Sequence, residues 1–344
     1  MERRYQNMTD IVTSQIVIAQ TLVKPNQMES IVLIHRIVLC SIAGTFGLVS
    51  NIINICVFVK QGFNSSINIS FFAMAITDIF RIVAVNWMNL CSSPDMQKFD
   101  VPVVFSELMY LTTGWPIGCA NRITMFITAF ITAERCLCIM VPLKVRKIVT
   151  PLRSVVILII IVVLNGLGLV PEYMAAYLDW KMYPSINRTR IGIKFRSNSA
   201  ENEGIAFTIH AVLMSAALLC VVIFTAALVV KLNQKTQWRL ESTSDDRQRE
   251  TFKTKDRKTV KMVILVAAVM VVCYTPAVML SVVSASCPEF NVTGPLASLF
   301  HGVWTVVFVL GTVNASVNIF VYYFMSTKYK EDLKQLLQWR YKTL

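Results

Sequence analysis

Seven long apolar runs divide the chain, covering 37–59, 67–90, 105–140, 155–172, 205–230, 259–284 and 296–325. As helices, all seven are long enough to cross a hydrocarbon layer, which takes about 17–25 residues. The third exceeds one bilayer thickness and must tilt or protrude. Residues 173–204 form the longest connection between runs. Within it, 187–196 alternates polar and apolar side chains, as an arm of a β-hairpin does. The stretch 231–258 is dense in mixed charge and carries Ser and Thr, so it reads as an inner loop or helix extension open to phosphorylation. From Thr327 to Trp339, Leu333, Leu336 and Leu337 share one side and lysines the other, which predicts an amphipathic helix lying on the membrane surface. The expected fold is therefore an all-α membrane protein. A seven-transmembrane helix bundle occupies 37–325, a short N-terminal tail 1–36, and an amphipathic helix with a short tail 326–344.

Composition agrees: 55% of the 344 residues are hydrophobic, 15% are charged, and the mean hydropathy is +0.58, too apolar for a soluble domain of this size. Charge then orients the bundle. With the N-terminus outside, the inner side carries Lys60, Lys144, Arg146, Lys147 and Arg153, ten basic residues in 231–261 and five after Met325, about twice the outer number. The N-terminus is thus predicted to be extracellular and the C-terminus cytoplasmic, in a multi-pass protein of the plasma membrane. Much of the net +13 is this inner fringe facing anionic lipid, not a nucleic-acid surface. Glycosylation sequons at Asn7, Asn187 and Asn291 fall on the outer side; those at Asn64, Asn68 and Asn314 fall at the inner face or within a span and are expected to stay unmodified. The first thirty residues lack a compact apolar core with a cleavage site, so the first span is expected to act as an uncleaved signal. Of nine cysteines, only Cys91 and Cys287 are expected outside, where they have the opportunity to pair.

The residues that carry chemistry sit inside this apolar frame. Asp78 lies about eleven residues, roughly 16 Å, into the second span, near the bilayer midplane. A carboxylate there must be paired, solvated or protonated. Thr124, Asn314 and Asn318 lie at similar depth, with Tyr322 continuing the stripe and Asn51 in the first span. This oxygen-rich group suits a small hard cation such as sodium, or a plain water-filled polar network that holds the helices. Glu134-Arg135-Cys136 ends the third span. Arg135 has the choice of its neighbouring carboxylate or of partners on the sixth and seventh spans, which suits a bistable switch; alone it reads more readily as a positively charged anchor, and the pattern around it shifts the balance. Pro276, in Cys273-Tyr274-Thr275-Pro276, removes a helix hydrogen bond and predicts a kink.

These motifs together resemble the rhodopsin-like (class A) G-protein-coupled receptors, from Ile37 to Trp339. The matching segments are Gly47 to Asn51, Met74 to Asp78, Glu134-Arg135-Cys136 with Ile139, Pro142 and Leu143, Cys273 to Pro276, and Asn314 to Tyr322. Within the class, Trp115-Pro116-Ile117-Gly118-Cys119, Arg122-Ile123, the run from Ile127 to Ile139 and Pro142 to Val145 look similar to chemosensory receptors of gastropod molluscs. Those in turn resemble invertebrate neuropeptide receptors of the FMRFamide type. The resemblance implies a receptor that transmits extracellular ligand binding to a heterotrimeric G protein, chemosensory first and neuropeptide second. It implies that Asp78, Thr124, Asn314 and Asn318 form a sodium pocket, that Arg135 is the G-protein switch with Tyr322 as its active-state partner, and that Tyr274 is a rotamer switch beneath the ligand. The departures are Ile319 in place of proline, Tyr274 in place of tryptophan, and Tyr110 in place of the cysteine normally bonded to the second outer loop. Residues 173–204 contain no cysteine, so that bond is absent; a Cys91–Cys287 bond is the expected substitute.

The class's pocket positions fall here on Ile117, Gly118, Asn121 and Arg122. Ile117 stands where amine receptors carry an aspartate, and Thr312 where opsins carry their retinal-binding lysine, so neither ligand is expected. Arg81 and Arg122 put two cations in the bundle and favour an anionic ligand, unless Arg122 pairs internally with Glu107 or Glu172 and Arg81 snorkels. Trp304, Phe308, Tyr274 and Val278 supply aromatic and apolar walls. A transporter or channel is the competing class, but inverted repeats and Gly/Pro-broken helices are not evident. Three dispersed histidines and no nucleophile–base arrangement argue against an enzyme or a resident cofactor other than sodium.

Overall fold

The computed structural model describes residues 25–93, 96, 99–184, 186–242, 246–287, 289–290 and 295–342. The chain forms helices α1 (Pro25–Gln61), α2 (Ser66–Cys91), α3 (Phe105–Met140), α4 (Pro142–Ile148), α5 (Pro151–Leu167) and α6 (Val170–Ala175), then strands β1 (Ala176–Tyr183) and β2 (Arg188–Phe195). Helices α7 (Ser199–Ser242), α8 (Asp246–Ser286), α9 (Ala297–Met325) and α10 (Thr327–Lys342) complete it. Seven helical stretches are long and apolar enough to span a membrane, and they coincide with the seven predicted runs. The protein is a multi-pass, seven-helix membrane protein. The sequons at Asn7 and Asn291 lie outside the described residues; Asn187 is exposed at the turn between β1 and β2, in the left-handed conformation (φ 50°) that asparagine tolerates.

Burial sorts the spans. Helix α2 is the most enclosed, with 56% of its apolar window buried, which is why Asp78 and Arg81 are hidden on it. The α5–α6 span is peripheral, with 17% buried, and turns Ile159, Val163 and Leu164 outward, as a lipid-facing helix does. The mixed-charge segment after 231 is largely helical: α7 continues to Ser242 and α8 begins at Asp246, extending both spans well past their apolar parts. Helix α9 runs unbroken through Ile319, where the class carries proline.

The amphipathic helix α10 is docked by more than its leucines. Tyr329 is buried and donates its hydroxyl to Asn54 Oδ1 at 2.5 Å, and its ring lies 5.7 Å from that of Tyr322. Burial holds the Tyr329 phenol well above its ordinary pKa, so it remains a donor. Lys60 reaches Gln335 Oε1 at 2.8 Å, and Gln61 reaches Asp332 Oδ2 at 3.0 Å. Leu333 and Leu336 pack on the core, whereas Leu337 is exposed.

The hairpin predicted at 187–196 pairs Arg188–Phe195 antiparallel with Ala176–Tyr183. It is tied to the start of α3 without a disulfide. Val104 N donates to Ile191 O at 3.0 Å, Ile191 N to Pro102 O at 2.7 Å, and Ile193 N to the Glu107 carboxylate at 2.7 Å. Lys181 pairs with Glu107 at 3.4 Å, and Asp100 pairs with Arg188 and Arg190. At the edge of the hairpin, Lys194 holds the Asp179 carboxyl below its usual range. The expected Cys91–Cys287 bond is not formed, and both are free thiols. Cys91 is wholly buried at the end of α2, while Cys287 packs beside Phe290 and Phe300, so each thiol is committed to its own packing site.

Candidate functional site

Helix α3 links two sites at its opposite ends. At the hairpin end a cavity of about 530 Å³ opens among α2, α3, α7 and α9, roofed by Lys181, Ile193 and Phe195. Its walls are aromatic: Trp115, Phe207, Phe300, Trp304 and Phe308 succeed one another, with ring centroids 4.9–6.2 Å apart. Tyr110, Thr113 and Gly114 also line it, from a π-helical turn (Tyr110–Gly114) in α3. The wider turn re-aims side chains at the hairpin end of α3, a frequent use of such turns at functional sites. Glu107 at the rim is already satisfied by Lys181 and the Ile193 amide.

Of the expected ligand-contact residues, Asn121, Trp304 and Phe308 line this cavity. Arg81, Ile117, Arg122, Tyr274, Val278 and Thr312 stand behind the wall, because each is spent on packing or on a hydrogen bond to a neighbour. Arg81 is fully buried and does not snorkel: it donates to Asn121 Oδ1 at 2.7 Å, Thr312 Oγ1 at 3.0 Å and Phe308 O at 3.1 Å, tying α2 to α3 and α9. Tyr274, also fully buried, reaches the same Asn121 oxygen at 3.4 Å. Arg122 takes neither Glu107 nor Glu172. It donates to Asn165 Oδ1 at 3.2 Å, Asn165 O at 3.1 Å and His210 Nδ1 at 2.5 Å, all neutral partners. Glu172 is buried with both oxygens unpartnered, beside Tyr110, which itself donates to Glu203 Oε1 at 3.3 Å. His210, like Trp115, Phe207 and Phe300, is a wall residue that sequence reasoning missed. Its signal was present: a lone histidine inside the otherwise apolar run 205–230.

Deeper in the bundle, Asn318 Nδ2 donates to Asp78 Oδ2 at 2.9 Å. Asp78 Oδ1 and Thr124 Oγ1 are both buried without a partner. An open carboxylate oxygen and an open hydroxyl near the midplane fit a small hard cation completed by water. Asn51 instead ties α1 to α9, donating to Ala315 O at 2.7 Å.

At the far end of α3, Arg135 donates to Glu134 Oε1 at 2.6 Å. The other Glu134 oxygen accepts from Ser66 at 2.9 Å, and Ser66 in turn meets Ser154. One carboxylate thus joins α3 to α2 and α5 while holding the arginine. Tyr322, the expected alternative partner of Arg135, is packed against Phe58, Phe71 and Tyr329 with its hydroxyl on Met74 Sδ at 3.7 Å. The Glu134–Arg135 pair is closed, and Tyr322 does not reach Arg135. Pro276 lies inside α8 next to Thr275, whose hydroxyl caps Val271 O at 2.6 Å.

The chain is thus a seven-helix bundle with an aromatic cavity at the hairpin end, a buried carboxylate and a closed Glu–Arg pair. Residues 38–340 match the model of the serpentine type 7TM GPCR chemoreceptors, Srw, and the chain belongs to that family. It is a G-protein-coupled chemoreceptor, and the family is one of receptors, not of enzymes. No curated protein matches the chain. The family match supports the chemosensory G-protein-coupled receptor reading, and neither the assignment to the rhodopsin-like class nor the likeness to FMRFamide-type neuropeptide receptors.

Proposed function

We propose that this receptor sits in the plasma membrane with its N-terminus outside, binds a small molecule in the cavity beneath the hairpin, and activates a cytoplasmic heterotrimeric G protein. The observation that carries this is the placement of the aromatic cavity and of the Glu134–Arg135 lock at opposite ends of one helix, α3. A ligand acts by preferring one of two arrangements of the bundle. Asn121 is the joint: it lines the cavity and holds both Arg81 of α2 and Tyr274 of α8. Moving Asn121 moves Tyr274, two residues before Pro276, and a small change at that kink swings the inner end of α8. Arg135 then leaves Glu134 for Tyr322, and the inner face opens to the G protein. Asp78, Thr124, Asn314 and Asn318 are the residues that would hold sodium; its positive charge would favour the closed arrangement. The switch positions resemble those of the rhodopsin-like class, and that resemblance supports the same mechanics here.

Replacing Arg135 by alanine tests this reading. Coupling is abolished while surface expression, read by an N-terminal epitope on unpermeabilised cells, is retained. Normal coupling by the mutant, or an epitope detected only after permeabilisation, refutes it.

A further inference from the structure

We propose that the cavity selects molecules with an apolar or aromatic body and a carboxylate head, read by donors that the two buried arginines orient. The inference rests on the cavity being the ligand site. It begins from an asymmetry in hydrogen bonding. A guanidinium only donates. Arg81 therefore turns the Asn121 carbonyl toward itself, and Tyr274 shares that oxygen. What Asn121 offers the cavity it lines is its amide N–H group. Arg122 does the same to the other wall residue. Because Arg122 donates to His210 Nδ1, that nitrogen is an acceptor, the ring is neutral, and its hydrogen is on Nε2. His210 also lines the cavity, so it presents an N–H. Trp304, 6.3 Å from the His210 ring, adds an aromatic wall beside it.

Two side chains that line one cavity, Asn121 and His210, thus keep N–H donors free of their arginine contacts, each backed by a buried positive charge. A ligand atom with hydrogens of its own to donate finds no complement in these N–H groups, whereas a carboxylate accepts from both. Arg81 is hydrogen-bonded to Asn121, Thr312 and Phe308 and has the Asp78 carboxylate of α2 as an electrostatic neighbour, whereas the hydrogen-bond partners of Arg122 among the described residues, Asn165 and His210, carry no negative charge. Of the carboxylates at the hairpin end, Glu107 is held at the rim by Lys181 and Glu203 accepts from Tyr110, while Glu172 is buried beside Tyr110 and outside the cavity lining. An incoming anion gains the field of the Arg122 guanidinium in a water-poor site. Glycine at 118 belongs to the same design: a Cβ there would stand 3.0 Å from the His210 ring, pushing it off Arg122 or into the cavity.

The test uses the full chain in lipid nanodiscs, with unfolding followed by a thiol-reactive dye on its free cysteines. The probes are phenylacetate, 3-phenylpropanoate, indole-3-acetate and octanoate, each set against its methyl ester, with 2-phenylethylamine and tryptamine as cationic counterparts. Carboxylates are expected to raise the melting temperature with at least tenfold lower half-saturation than the esters, and the amines to give no shift. In Arg122→Gln the preference for acid over ester collapses, and in Arg122→Lys it is retained. If Arg122→Gln does not fold, Asn121→Ala serves, with the same loss expected. Esters or amines that stabilise as well as the acids overturn the proposal, as does a panel in which no carboxylate stabilises. The readout needs no G protein, so its failure is distinct from a failure of coupling at Arg135.

Discussion

Glycine at 311 tests whether Arg81 is a structural cation. A Cβ built at this position would lie 2.2 Å from Arg81 Nη2 and 2.7 Å from Cζ, well inside contact distance. An arginine tip ordinarily yields, but this one is fully buried and held by Asn121, Thr312 and the Phe308 carbonyl. Gly311→Ala must therefore break two or more of these bonds, and hydrogen bonds to charged groups contribute about 1.5–3 kcal/mol each. Leaving the charge buried with fewer partners adds to the loss. The helix propensity that alanine gains over glycine, about 1 kcal/mol, offsets part of it. The net expectation is a destabilisation of about 3–5 kcal/mol. Gly166→Ala is the control, because its added Cβ meets nothing within 4 Å and only the propensity gain remains. Thermal unfolding of the two variants in nanodiscs separates them: Gly311→Ala melts well below wild type and Gly166→Ala at or slightly above it. Equal melting temperatures would refute the assignment of Arg81 as the tie between α2, α3 and α9.

Three further outcomes follow from the geometry. Glu134→Gln removes the charge that holds Arg135 at 2.6 Å, so ligand-free G-protein activation rises several-fold; an unchanged basal level means that the pair is not the lock. Asp78→Asn makes ligand affinity indifferent to replacement of sodium by choline, and a wild-type receptor already indifferent removes the cation from the account. Glu107→Ala leaves the Ile193 amide without its acceptor, a loss of about 1–3 kcal/mol confined to the hairpin. Hydrogen exchange then accelerates across 188–195 while the spans stay protected, and no change there would show that the clip to α3 is dispensable.

Much of this was written in the chain. Apolar run length placed the seven spans, because a backbone in lipid must be helical and continuous. Alternation at 187–196 announced the hairpin, and Tyr110 together with the absence of cysteine from 173–204 announced that no disulfide would hold it. What replaces the disulfide was not legible. Glu107 and Ile193 are far apart in sequence, and nothing local marks them as partners. The arginines show the same boundary. Two cations in apolar helices predict a special role, but sequence placed them on the cavity wall, where the fold sets them one hydrogen bond behind it. Their partners Asn165 and His210 lie 43 and 88 residues from Arg122, a separation no periodicity encodes. The Cys91–Cys287 expectation came from the outer location of both residues alone, and packing decided against it.

The most direct test of the receptor account is G-protein activation in cells expressing the chain, challenged with low-mass fractions of tissue and food extracts before and after protease digestion, alongside Arg135→Ala. Activation by a protease-resistant fraction in wild type, absent from Arg135→Ala at equal surface expression, is the predicted result. Activation that persists in Arg135→Ala, or that protease destroys, would contradict it.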